Sequence, residues 1–134
     1  MAAQLPPLPE GYSYSAEHEW IDAPADDAAG KTVTVGITAV AADALGEVVY
    51  VDPPGEGDEV TAGEVCGEVE STKSVSDLFS PVSGTVVEVN EAVTADPGLL
   101  NSDPYEAGWI FKVQVTDTGE LLDAAGYRAL TKQD

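Results

Sequence analysis

A seven-residue phrase occurs twice in this chain: Gly46-Glu-Val-Val-Tyr-Val-Asp52 and, thirty-eight positions later, Gly84-Thr-Val-Val-Glu-Val-Asn90. Four of the seven positions are identical, and Asp52 and Asn90 differ only by an amide. Both copies have the valine-rich composition of a short strand. Between them lies a second pattern. Val65, Gly67, Val69 and Ser71 alternate with Cys66, Glu68 and Glu70, and Val75, Asp77 and Phe79 alternate with Ser76, Leu78 and Ser80 until Pro81 blunts the run. Each has the period of a half-buried strand. The small polar residues Ser71, Thr72 and Ser74 suit a tight exposed turn. The result is a hairpin with Lys73 near its tip, set between two similar half-units.

The rest of the chain follows the same grammar of short strands punctuated by Gly and Pro, which points to a mainly β fold. Tyr12, Tyr14 and the run Glu17-His18-Glu19-Trp20-Ile21 form an entry strand, and 23–30 reads as a polar loop. Lys31 to Ile37 alternates as a strand. Thr38 offers an N-cap to a short helix from Ala39 to Leu45, which Gly46 stops. Residues 95–101 read as a loop with one helical turn, and Trp109 to Val115 as the last strand. Leu121, Leu122, Ala125, Ala129 and Leu130 recur at near-helical spacing. The expected organisation is one domain over residues 1–134. It begins with an extended lead-in over 1–13 and ends in short helices over 119–134.

Twenty-five acidic residues against four lysines and one arginine give a formal charge of −20. Such a field repels nucleic acid and anionic membrane faces and favours partners with basic docking surfaces. The longest apolar runs fall far short of a membrane span. Met1 to Glu10 carries no Lys or Arg and matches neither a secretory nor a transit signal, so the expected location is cytoplasmic. A single Cys66 excludes an internal disulfide and reads as a small buried hydrophobe. His18 is the lone histidine, too few for zinc ligation or a catalytic dyad, and with Trp20 it reads as packing. Against so few cations Lys73 stands out, because an ammonium on a flexible stem is the usual anchor of an amide-linked prosthetic group.

The residues themselves carry a closer likeness. Glu70-Ser-Thr-Lys-Ser74, followed by Ser76-Asp-Leu-Phe-Ser-Pro-Val-Ser-Gly84, resembles the lipoylation motif of the glycine cleavage system H protein family. His18-Glu-Trp20, and the stretch from Asn101 through Pro104-Tyr105 to Gly108-Trp109, are similar to the same family. The resemblance covers about Tyr14 to Lys132. Biotin carriers flank their lysine with methionines, and the only one here is Met1; lipoyl domains of 2-oxo acid dehydrogenases place Asp where Thr72 stands.

The resemblance implies a lipoyl/biotinyl-domain-like flattened β barrel-sandwich with quasi-twofold halves, plus short helices after the first hairpin and at the C-terminus. It implies a carrier rather than an enzyme, with lipoic acid in amide linkage to Lys73 and Glu70 read by lipoylating enzymes. Its partners would be the PLP-dependent glycine decarboxylase (P-protein), the aminomethyltransferase (T-protein) and dihydrolipoamide dehydrogenase (L-protein). The arm would take an aminomethyl group from the first to the second and be reoxidised by the third. The loaded arm would fold back into a cleft, where Glu19 and Asp77 match the pocket acids; Ala44 stands where relatives often have histidine. Two other readings stay open, a lipoyl carrier or donor for another lipoate-dependent pathway and a biotin carboxyl carrier.

Overall fold

The computed structural model describes residues 8–119 and 121–131. The first seven residues of the lead-in, and Lys132 with the two residues after it, lie outside the described residues. The strands are β1 (Ser13–Tyr14), β2 (Glu19–Ile21), β3 (Thr32–Ile37), β4 (Val48–Asp52), β5 (Glu59–Val60), β6 (Val65–Ser71), β7 (Val75–Phe79), β8 (Val82–Val89) and β9 (Phe111–Thr118). The helices are α1 (Ala25–Ala28), α2 (Ala39–Leu45), α3 (Glu91–Ala95), α4 (Leu99–Ser102) and α5 (Ala124–Thr131). Antiparallel pairing gives a six-stranded sheet in the order β1-β2-β3-β9-β8-β5 and a three-stranded sheet in the order β4-β6-β7.

The alternation in the sequence becomes the inner faces of these sheets. Val33, Val35, Val86, Phe111, Val113 and Val115 point inward from the larger sheet, and Val48, Val51, Val69 and Leu78 meet them from the smaller one. Fully burying one such side chain contributes roughly 1.5–3 kcal/mol. The repeated phrase places one copy in each sheet, β4 and β8. In both copies the first valine is buried (Val48, Val86), the second is exposed (Val49, Val87), and the strand register slips across the exposed one. The likeness between the copies is therefore a shared bulge as well as shared composition.

A second apolar cluster closes the end where the chain enters. Tyr14 stacks on Tyr127 of α5 with ring centroids 5.1 Å apart. Trp20 is buried, and its Nε1 donates to the carbonyls of Ile37 (2.9 Å) and Pro104 (3.1 Å). His18 Nδ1 lies 2.6 Å from the Tyr127 hydroxyl, so both residues pack with satisfied polar tips.

Helix α2 forms with Thr38 as its N-cap, the hydroxyl accepting from Ala41 N at 3.2 Å, and ends at Gly46 with φ 83°. Other expectations shift. The polar loop over 23–30 contains α1, because Ala28 is buried under the six-stranded sheet. The single turn expected over 95–101 is preceded by α3, which Asn90 caps by accepting from Ala92 N. The last strand runs from Phe111 to Thr118 and not from Trp109, whose N–H bonds back to Glu106 O at 3.2 Å and keeps the chain turning. The two sheets form the expected flattened β-sandwich with short helices, without closing into a barrel, and its edges are β1, β5, β4 and β7.

Gly84 lies at a register slip between the paired strands β8 and β9, and a Cβ there would stand 2.1 Å from the Gln114 carbonyl oxygen, a backbone atom that cannot step aside. Gly84→Ala is expected to lower unfolding stability by roughly 1–3 kcal/mol. Urea denaturation checks this, with the midpoint falling and the slope unchanged.

Candidate functional site

The β6–β7 hairpin is held at its turn, while the Lys73 side chain there is exposed. Ser71 N donates to Ser74 O at 2.8 Å, and the Ser71 hydroxyl oxygen accepts from Ser74 N at 3.1 Å and Lys73 N at 3.3 Å. Thr72 N donates to Glu47 O at 3.0 Å, tying the turn to the segment between α2 and β4. That segment is clamped in turn by Asn101 of α4. Its Nδ2 donates to Gly46 O at 2.7 Å and its Oδ1 accepts from Val48 N at 2.9 Å. The Lys73 stem passes over Gly46, where a Cβ would stand 3.2 Å from Lys73 Cε. Gly46 thus serves both its positive φ and the lysine's path. Lys73 is exposed and forms no ion pair among the described residues.

Beside the hairpin, between β2, α2 and β7, lies a cleft of about 300 Å³. Ile37, Ala41, Leu45 and Leu78 supply its apolar wall, and Ser74 and Val75 bring it up to the lysine turn. Glu19 and Asp77 line the same cleft, as does Ala44. The two acids differ in kind. Asp77 is exposed. Glu19 is only 2 % exposed, accepting from the Ser15 hydroxyl at 2.6 Å and from Phe79 N at 3.3 Å. Burial raises the Glu19 carboxyl to about 8, outweighing those two hydrogen bonds, with neighbouring Glu17 adding to the rise. An uncompensated buried carboxyl of this kind holds its proton at neutral pH and gives it up when a cation arrives.

Glu70 does not join the cleft: it pairs across the hairpin with Val75 and faces Tyr50 on β4. Cys66 is half-buried, and burial pushes its thiol to about 12, which makes it packing material rather than a nucleophile. A larger cleft of about 410 Å³, beside Arg128 and Glu10, shares no residue with the hairpin. Ser15 and Asn101 had no sequence signal of their own. The partners of Asn101 lie 53 to 59 residues away along the chain, and only the folded topology brings them in.

Comparison with known proteins gives a consistent result. A family model described as glycine cleavage H-protein matches residues 12–134. Curated relatives named glycine cleavage system H protein include one from Beutenbergia cavernae, 58% identical over 124 residues, covering 92% of this chain and 96% of the relative. Another, from Corynebacterium aurimucosum, is 56% identical over 127 residues, covering 95% and 98%. A crystal structure of a glycine cleavage system H protein from Mycobacterium marinum superposes with a TM-score of 0.90 at 52% identity, covering 93% of this chain and 99% of that one.

The Glu19 carboxyl leaves a mark on stability. Its folded value lies above the ordinary one, so the folded chain keeps the proton through the interval up to about 8; this stabilising effect is full at acidic pH and is lost as pH rises through that interval. His18 has the opposite sign, since burial lowers its folded value; stability from it grows as pH rises toward about 6.5 and is full above it. Glu19→Gln keeps the shape and cannot ionise. Its unfolding free energy minus that of the wild type should therefore increase by roughly 2–4 kcal/mol between pH 5 and 8. Parallel stability curves would mean that Glu19 is already ionised in the empty cleft.

Proposed function

The chain belongs to the glycine cleavage H-protein family, and on that footing we propose that Lys73 carries a lipoyl group in amide linkage and that the cleft beside it shelters the loaded arm. The protein is the lipoyl carrier of the glycine cleavage system, not a catalyst. The observation that supports the assignment to Lys73 is a lysine in a turn fixed by Ser71 and tied through Thr72 to a segment that Asn101 holds, its amine exposed next to a cleft with an apolar wall and an acidic end. Attachment requires the ε-amine to lose a proton and attack the carbonyl carbon of an activated lipoyl ester or thioester. The C–N bond forms as the C–O or C–S bond breaks, and the leaving group departs. Glu70, three residues before Lys73 at the end of β6, is a contact for the lipoylating enzyme.

Held on Lys73, the lipoyl group would supply a disulfide able to take up the aminomethyl fragment left when glycine loses carbon dioxide at the P-protein, to pass its carbon to tetrahydrofolate with release of ammonia at the T-protein, and to return from dithiol to disulfide at the L-protein. The chain's own part is to hold and release. The apolar wall of Ile37, Leu45 and Leu78 excludes water from the arm. Glu19 gives up its proton to pair with the cationic amine, and Asp77 adds a second, exposed negative charge. Tethering raises the arm's effective concentration at each partner. Among the described residues no helix is long and apolar enough to cross a membrane. The proposed setting is the bacterial cytoplasm.

Two experiments test this. Lys73→Arg keeps the charge and cannot form the amide, so intact-mass spectrometry and peptide mapping after expression with lipoate should show complete loss of lipoylation with folding preserved. Lipoyl on Lys31, Lys112 or Lys132 in the wild type would overturn the assignment.

The second measures formaldehyde release from loaded wild type, Asp77→Asn and Glu19→Gln. Losing exposed Asp77 should speed release by no more than several-fold. Losing buried Glu19 should cost more, because the amine is left unpaired in the cleft. Equal rates in all three would mean that neither acid guards the arm.

A further inference from the structure

We propose that the outward face of the β4-β6-β7 sheet is the surface held by the enzyme that builds the amide on Lys73, a partner whose docking face sets basic side chains around an apolar contact. This rests on the reading of Lys73 as the attachment point. Strand register places two rows side by side on this face. One is Tyr50–Glu70–Val75, next to the lysine turn, and the other is Asp52–Glu68–Asp77, one step behind it. The opposite face of the same strands buries Val48, Val51, Val69 and Leu78, so the two rows lie on the outward face, with Tyr50, Asp52, Val75 and Asp77 exposed and Glu68 and Glu70 half-buried.

Both rows are unfavourable for the isolated chain. Val75 is 60% exposed and Tyr50 49%. With Val49 and Val65 they make four of the six large exposed hydrophobics among the described residues, all on this small sheet. The row Asp52–Glu68–Asp77 sets like charges directly opposite one another, which weakens a sheet. No cation offsets them: the ion pairs among the described residues, Lys112–Glu88 and Arg128–Glu10, lie elsewhere. An apolar strip bordered by unpaired carboxylates calls for a partner with an apolar contact ringed by Lys or Arg.

The choice of occupant follows from reach. The turn from Ser71 to Ser74 offers only small hydroxyls, too little for a protein to grip. An enzyme acting at the far end of a long arm need not hold the strands that bear it. The enzyme that forms the bond at Nζ must fix that nitrogen against an activated carbonyl carbon. The nearest rigid surface with contact area is the sheet face directly behind the turn.

The test uses the unmodified full chain and a purified lipoate-attaching enzyme, with lipoylation followed by intact mass and the dissociation constant of the unmodified chain measured by calorimetry. Tyr50→Ser and Val75→Ser should each weaken binding and raise KM about tenfold, with kcat unchanged. Asp52→Asn/Glu68→Gln should raise KM at low salt and remove the salt dependence that the wild type shows. The double variant relieves repulsion and should be at least as stable as the wild type, so its weakened binding cannot be unfolding. Wild-type KM and dissociation constant in all three variants, with the wild type itself lipoylated on Lys73, would overturn the surface and leave the attachment point standing. A wild type that takes no lipoyl on Lys73 would overturn the underlying reading instead. Weakened binding only to dihydrolipoamide dehydrogenase or the aminomethyltransferase would assign the face to a different occupant.

Discussion

An open sandwich has to be fastened across the gap between its sheets, because backbone ladders act only within each one. Here the valines and leucines of the two inner faces provide most of that fastening, and one polar residue adds direction to it. Glu19, on the larger sheet, accepts the Phe79 amide of the smaller sheet's edge strand, and Ser15 holds the carboxyl in place. A carboxyl buried in this way carries a desolvation cost, which the raised proton affinity expresses. The same atom that joins the sheets also lines the cleft. Structural and functional demands on it therefore cannot be separated by position, only by protonation state.

The lysine turn depends on contacts made at a distance. Its backbone leans on Glu47, whose segment is gripped by Asn101, and the α2 helix that forms one wall of the cleft is positioned through the same residue. Tyr105 adds a second restraint by accepting Ala39 N at 3.0 Å, at the N-terminus of that helix. The arm proposed for Lys73 needs its swivel confined to the lysine's own four-carbon stem. Fixing everything behind the Cα is how the fold achieves this.

Much of this was legible in the chain. Lys73 was, because a polar turn between alternating runs allows few alternatives. The helix from Ala39 to Leu45 was too, because its cap and stop are local chemistry. The repeated phrase showed two related strands but not the reason for their likeness: a register slip is a relation between partners, and its outward valine looks like any other valine. Glu19 could be placed in a cleft only by resemblance, and its burial was hidden, since a glutamate beside Glu17 in so acidic a chain has the pattern of a solvated face. Asn101 was invisible as a clamp because its bonds span more than fifty residues. Residues 23–30 misled for a related reason: Ala28 is drawn inward by a sheet that forms from distant segments.

The bulge in β4 has a consequence beyond twist. β4 is an edge of its sheet, and a straight edge exposes a row of free amides and carbonyls on which another chain's strand can stack. The slip at Val49 breaks that row in the middle, and its upper end is already occupied where Asn101 takes the Val48 amide. What remains is too short and too twisted to template a neighbour. The exposed apolar strip is in this way protected from self-assembly and amyloid-like stacking at the very strand that bears it.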